Sequence, residues 1–243
     1  MNTFLQFFNE FESTLQYHDE LNPKLWDGKK LKQEVRKQLL KIANYWINFA
    51  EIPDEAILDI IMTGGNSNYN YTKFSDIDVH IIVKKKKIAV CDADLLDDYL
   101  RDKKTIWSLN HDIKVYGYNV ELYAQDVDEP TSVDQGVFSL EKNKWISEPR
   151  KEKVNLKNPQ IARKVTHYKH VIDYFIKTKT DDIEKMNEFK DRLKNMRSAS
   201  IQKGGEFSVE NLVFKELRNS GYLDKFSDYI IDAEDKKLSL KGK

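Results

Sequence analysis

Asp76 and Asp78 lie two residues apart at the head of the run Asp76-Ile77-Asp78-Val79-His80-Ile81-Ile82-Val83, whose apolar spacing predicts a β-strand. Side chains at i and i+2 of a strand share a face, so the two carboxylates are crowded together while Ile77 and Val79 point away. At ~4 Å and an effective dielectric near ~20 their repulsion is roughly 4 kcal/mol, which a shared proton or a divalent cation relieves. An all-oxygen donor set favours the cation, with Mg²⁺ or Mn²⁺ suited to carboxylates and phosphate oxygens. Upstream, Gly64-Gly65 closes the apolar run Ile57-Leu58-Asp59-Ile60-Ile61-Met62. Glycine lets a backbone bend sharply and lets an anion approach its N–H groups. Asn66, Ser67 and Asn68 add short hydrogen-bonding side chains, and a helix starting there would turn its positive end to the same anion. Gly64, Gly65, Asn66 and Ser67 are therefore candidate phosphate-binding residues. A third acid, Glu121, lies between Val120 and Leu122 in a later extended run.

Met62-Thr63-Gly64-Gly65, a ten-residue spacer over 66–75, Asp76-Ile77-Asp78-Val79 and Val120-Glu121-Leu122 together resemble the polymerase β-like nucleotidyltransferase superfamily. The match runs from Ile57 to Gln125. The chain departs from the family pattern at Gly65, where many members carry serine; Ser67 is the nearest hydroxyl that could compensate. Leu21-Asn22-Pro23-Lys24-Leu25-Trp26-Asp27-Gly28 and the helical tail are also similar to phage-encoded members. The resemblance implies catalytic and metal-ligating roles for Asp76, Asp78 and Glu121, with two Mg²⁺ or Mn²⁺ ions about 3.5–4 Å apart in an in-line displacement. It further implies a nucleoside triphosphate donor, a hydroxyl acceptor, and pyrophosphate as the leaving group.

Other residues are open to two readings. His80 shares the face of the two aspartates and either borders the site or serves as a hydrogen-bonded structural histidine. Tyr69, Tyr71 and Phe74, in the spacer, either stack a base or anchor the loop. Asp112 and Asp126 flank the Glu121 run and read as solvated. Lys84, Lys85, Lys86 and Lys87 read as the cap of an exposed strand end, with phosphate steering as the alternative.

Helical periodicity is expected over Leu31–Phe49 and Asp92–Trp107, and extended structure over Glu55–Met62, Asp76–Val83 and Asp112–Gln125. Val137–Leu140 and Trp145–Ser147 predict a hairpin. From Asn158 onward four helices are expected, over Asn158–Lys179, Asp181–Ser200, Ser208–Asn219 and Tyr222–Asp235. The fold class that follows is α+β: a nucleotidyltransferase-type mixed sheet flanked by helices over 1–150, then a helical domain over 151–243 that closes a cleft over the site.

Formal net charge is zero across 243 residues, yet Lys151 to Lys203 carries 14 basic and 7 acidic residues. That basic stretch, with His167, Lys169, Arg192, Lys194, Arg197 and Lys203 as candidates, reads either as a polyphosphate or nucleic-acid face or as solvated helix surface. A short RNA end or a small-molecule acceptor fits overall neutrality better than a long wrapped nucleic acid. No apolar run reaches the length of a membrane span, and the acidic opening residues lack the basic region of a signal peptide; a cytoplasmic protein without a membrane partner is expected. Oligomeric state is not encoded legibly. One cysteine, Cys91, excludes an internal disulfide and a cysteine zinc site. Against the active enzyme stands a second class: a nucleotidyltransferase-like module that binds nucleotide or nucleic acid without turnover, to which the Gly65 departure lends weight.

Overall fold

The computed structural model describes residues 12–88, 93–129 and 135–240; Cys91 lies outside them. The chain divides into two compact units, Tyr17–Glu152 and a second made of Lys153–Lys243 with the segment up to Gln16. The described residues 12–16 thus go with the helices and not with the sheet.

The first unit holds a two-stranded hairpin, β1 (Trp26–Asp27) and β2 (Lys30–Leu31), then helix α1 (Gln33–Phe49), strands β3 (Ile57–Thr63) and β4 (Ile77–Val83), helix α2 (Ala93–Asn110), and strands β5 (Lys114–Val115), β6 (Tyr118–Asp126), β7 (Val137–Ser139) and β8 (Lys144–Ser147). Strands β3 to β8 form one six-stranded sheet in the order β5-β6-β4-β3-β7-β8. The sheet is mixed: β4 and β6 run parallel, while β3 is antiparallel to β4 and to β7. A parallel neighbour needs a crossover connection, and the segment carrying α2 supplies it.

One face of the sheet makes the core. Ile77, Val79, Ile81 and Val83 of β4 are fully buried with Leu122 and Ala124 of β6. They join α1 through Val35, Leu39, Ile42, Ala43, Trp46 and Ile47, the stripe that i, i+3, i+4, i+7 spacing predicts. Leu96, Leu100 and Trp107 bring α2 into the same cluster. Because β4 alternates strictly, its other face is left to Asp78, His80 and Ile82, all half-buried.

The extended run expected over Asp112–Gln125 is broken into β5 and β6. Tyr116 and Gly117 both take positive φ, 51° and 87°, the two-residue hairpin turn that matches strand twist. Residues Asp54–Ala56 form a short 3-10 turn ahead of β3, so that strand begins at Ile57.

The second unit is helical: α3 (Pro159–Lys177), α4 (Ile183–Gly204), α5 (Val209–Asn219) and α6 (Tyr222–Leu238). Its core joins Ile161, Val165, Ile172 and Phe175 of α3 to Met186, Phe189 and Leu193, to Leu212, Val213 and Leu217, and to Phe226 and Ile230. Asn158 caps α3 by accepting from the Gln160 N–H, with Pro159 at the first helical position. Among the described residues no helix is long and apolar enough to cross a membrane. The molecule is therefore an α+β protein with a helix-flanked mixed sheet and a helical C-terminal part.

Candidate functional site

Strand register decides what the three acids share. Thr63 of β3 lies opposite Asp78 of β4, and Asp78 pairs in turn with Glu121 of β6. Paired residues on adjacent strands point to the same face, so Asp78 and Glu121 are direct cross-strand neighbours on the face away from the core. Asp76 lies one residue ahead of β4 and outside the strand, where its carbonyl accepts from the Asn66 side-chain amide. The next row joins Ile61, His80 and Tyr123.

The turn after β3 is built around Gly64. Its φ of 75° and ψ of −165° fall in a region that is essentially glycine-only. A Cβ there would also overlap the Asp78 carboxylate, so the side chain of Asp78 lies over the bare Cα of Gly64. Gly65 has no positive φ; a Cβ on it would come 3.1 Å from the Ser75 hydroxyl, which accepts the Thr72 N–H. The space a side chain at 65 would enter is thus bordered by Ser75. The helix anticipated after the glycines is a single 3-10 turn over Gly65–Ser67, too short for a helix dipole.

Asn66 and Ser67 are fully buried, and the Asn66 side chain serves the protein. Its amide nitrogen donates to the Asp76 carbonyl at 3.0 Å and its oxygen accepts from the Asn22 amide at 2.7 Å. The Trp26 indole N–H donates to the Asn66 carbonyl at 2.8 Å, and Trp26 in turn stacks on Trp145 with ring centroids 4.7 Å apart. Asn68 closes the turn by donating to the Gly64 carbonyl at 2.7 Å. The side chain of Asn66 therefore holds the loop from within, while the buried Ser67 hydroxyl has no hydrogen-bond partner among the described residues. Neither Asn22 nor Trp26 was marked by spacing; their segment, Leu21–Gly28, stood out only by resemblance.

His80 is a structural histidine with a fixed orientation. Its Nδ1 lies 2.7 Å from Gln125 Oε1, and Gln125 Nε2 donates to the Glu129 carbonyl. An amide nitrogen committed to a carbonyl leaves its oxygen to accept, so His80 Nδ1 carries the hydrogen. Burial lowers the His80 pKa against the raising effect of that bond. Tyr71 stacks on His18 at 3.9 Å, Tyr69 is buried beneath Lys151, and Phe74 is half-exposed under Lys73. Loop anchoring accounts for Tyr69 and Tyr71. Asp126, expected to be solvated, instead accepts from the Lys85 and Asp128 N–H groups because it caps the turn after β6; Asp112 is an exposed partner of Lys114. Lys85 makes ion pairs with Asp97 at 2.6 Å and Glu129 at 3.0 Å. Burial disfavours its charge, but those partners outweigh it and raise its pKa.

Glu121 lies 3.3 Å from Lys104 Nζ, a residue of α2. Lys104 is the polar neighbour that sequence spacing did not mark. Among the described residues no three His, Cys, Asp or Glu side chains converge closely enough to hold a metal ion. Carboxylate oxygens are the donors that a hard divalent cation such as Mg²⁺ or Mn²⁺ takes, and the register brings two of the three expected acids, Asp78 and Glu121, side by side.

In the helical unit, several candidate cations already have protein partners. Arg192 lies over Phe189, Lys169 over Tyr222 and Arg197 over Phe214, while Lys194 pairs with Asp191. Arg197 also donates to Asn211, and burial lowers its pKa.

No family model matches the chain, and no curated protein does. Among solved structures, a STING-associated CdnE c-di-GMP synthase from Capnocytophaga granulosa is similar over 85% of this chain and 83% of that one, at 12% identity and a TM-score of 0.23. An overlay this weak carries no argument, and the functional conclusion stands on the chain's own residues.

Proposed function

We propose that the protein is a metal-dependent nucleotidyltransferase, moving a nucleoside monophosphate from a nucleoside triphosphate to a hydroxyl acceptor. The observation that supports it most is the pairing of Asp78 with Glu121 across parallel strands, with Asp76 two residues ahead of Asp78 and the Gly64 turn packed against Asp78. When bound, Mg²⁺ or Mn²⁺ would neutralise the triphosphate and make an acceptor hydroxyl easier to ionise. Asp76 and Asp78 supply the anchoring carboxylates. Glu121 accepts the proton of the acceptor hydroxyl; the oxygen bonds to the α-phosphorus, and the bond to pyrophosphate breaks. The backbone of Gly64 and Gly65 carries no Cβ of its own to hold a phosphate off the turn. The acceptor class is a short RNA 3′ end, a protein hydroxyl or a small molecule.

Incubation with each α-labelled nucleoside triphosphate, Mg²⁺ or Mn²⁺ and a panel of RNA, protein and small-molecule acceptors tests this directly. Asp76→Asn and Asp78→Asn should each cut transfer by roughly 10²-fold or more, the scale on which removing one electrostatic stabiliser of the transition state acts. Full transfer by either variant sinks the proposal. A second reading, nucleotide binding without turnover, draws on the Glu121–Lys104 ion pair and the missing side chain at Gly65. Calorimetric binding of a triphosphate with no pyrophosphate release across the panel would favour it.

A further inference from the structure

Arg197 of α4 is half-buried and held in place without an acid. Its Nε donates to Asn211 Oδ1 at 3.2 Å, and its guanidinium lies 4.9 Å from the centroid of the Phe214 ring. Asn211 is itself fully buried and donates to the Glu206 carbonyl at 2.5 Å, so the guanidinium is fixed along one edge and over one face. On α5, Asn211, Phe214 and Arg218 stand at i, i+3 and i+7, a single stripe of the helix. Arg218 therefore follows Phe214 on the side that Arg197 covers. Burial first, and the Arg218 charge second, hold the Arg197 pKa below the ordinary arginine value, against a raising effect of Glu206. The Glu206 carboxylate, however, pairs with Lys215. Among the described residues neither arginine forms an ion pair. A cation that gives up part of its hydration needs an acceptor in exchange, and a like charge beside it adds to the cost; one anion relieves both.

We propose that Arg197 and Arg218 form a phosphoryl-binding site on the α4–α5 face of the helical unit, taking the terminal phosphate of a small phosphomonoester or diphosphate. The guanidinium fork matches phosphate oxygens through paired N–H···O bonds. A carboxylate balances one of the two positive charges, whereas a phosphate dianion balances both. Asn211 and Phe214 are positioning residues, which hold the Arg197 fork still before the ligand arrives. The site lies wholly within the helical unit and does not depend on nucleotidyl transfer.

Calorimetry of the full chain with inorganic pyrophosphate at low ionic strength tests the site, with EDTA present so that no divalent ion bridges the ligand to an acidic group. The parent should bind pyrophosphate, and adenosine monophosphate should compete for the same site while acetate should not. Arg197→Lys keeps the charge but loses the fork and the Asn211 bond, and should bind about tenfold more weakly or worse, the scale of one charge-assisted hydrogen bond. Arg218→Gln should weaken binding to a similar extent; it changes an exposed side chain and so keeps the test open if Arg197→Lys does not fold. Lys194→Gln, on the same helix but paired with Asp191, should bind as the parent does. Pyrophosphate affinity that is absent from the parent, unchanged in the arginine variants, or lost equally in Lys194→Gln overturns the proposal. A 5′-hydroxyl oligoribonucleotide that binds as tightly as pyrophosphate and weakens in the same two variants also overturns it, in favour of a nucleic-acid backbone.

Discussion

At the scale of single residues, the site depends on atoms that are missing as much as on those present. Gly64 is required twice, by a backbone conformation closed to other residues and by the Asp78 carboxylate lying over its Cα. Gly64→Ala should lower stability by about 1–3 kcal/mol through backbone strain and push Asp78 aside; thermal denaturation and Mn²⁺ titration of the same variant would show both losses. Asn66→Ala removes two buried hydrogen bonds, leaving the Asn22 amide and the Asp76 carbonyl without their partner. An unsatisfied buried polar group costs about 1–3 kcal/mol, so chemical denaturation should report a loss of that size. Unchanged stability would mean that the loop is held by something other than Asn66. The glycine pair and the acids were visible in the sequence because their chemistry depends on local spacing. The inward turn of Asn66 was not, since its partner Asn22 is 44 positions away in the chain.

At the scale of elements, periodicity predicted the helices closely. α1, α5 and the start of α6 coincide with the expected spans to within two residues, because each carries a regular apolar stripe and a clear stop. It failed where a turn is set by two positive-φ residues, at Tyr116 and Gly117, since the flanking residues alternate without interruption through the break. Register likewise lay beyond periodicity: the alternation in β4 fixed which side chains share a face, but the pairing of Asp78 with Glu121 needed the crossover to set β6 beside β4. Between helices, Asp173 of α3 pairs with Lys225 of α6 at 2.8 Å. The Lys225 hydrogen bond, against some desolvation, lowers the Asp173 pKa. A lowered carboxylate pKa stabilises the fold above its unfolded value of 3.8, and the contribution disappears as pH falls through the folded value. With Lys225 half-exposed, the gain is only about 0.5 kcal/mol. Asp173→Asn should therefore lower the melting temperature slightly at pH 7 and leave it unchanged at pH 2.

For the whole molecule, the two units part at Glu152 and Lys153, and residues 12–16 go with the helices. Glu216, almost completely buried, explains how: it accepts from the Ser13 hydroxyl, the Thr14 hydroxyl at 2.7 Å and the Thr14 N–H at 3.0 Å. Asn219 adds a bond to the Thr14 hydroxyl at 2.9 Å. A buried carboxylate is tolerable only when so satisfied. Glu216→Ala should strip those donors of their acceptor, destabilise the helical unit by about 1–3 kcal/mol and speed amide exchange at residues 12–16; protection unchanged from the parent would refute the anchoring.

The sequence by itself determined the α+β composition, the helical second half and the face that Asp78 shares with His80, because these follow from the 3.6- and two-residue periods of side-chain direction. Only the tertiary structure decided that Glu121 stands beside Asp78, that Lys104 reaches Glu121, and that residues 12–16 attach to Glu216. Each joins residues that no local period connects, and each is set by how strands pair and helices pack once the apolar stripes are buried.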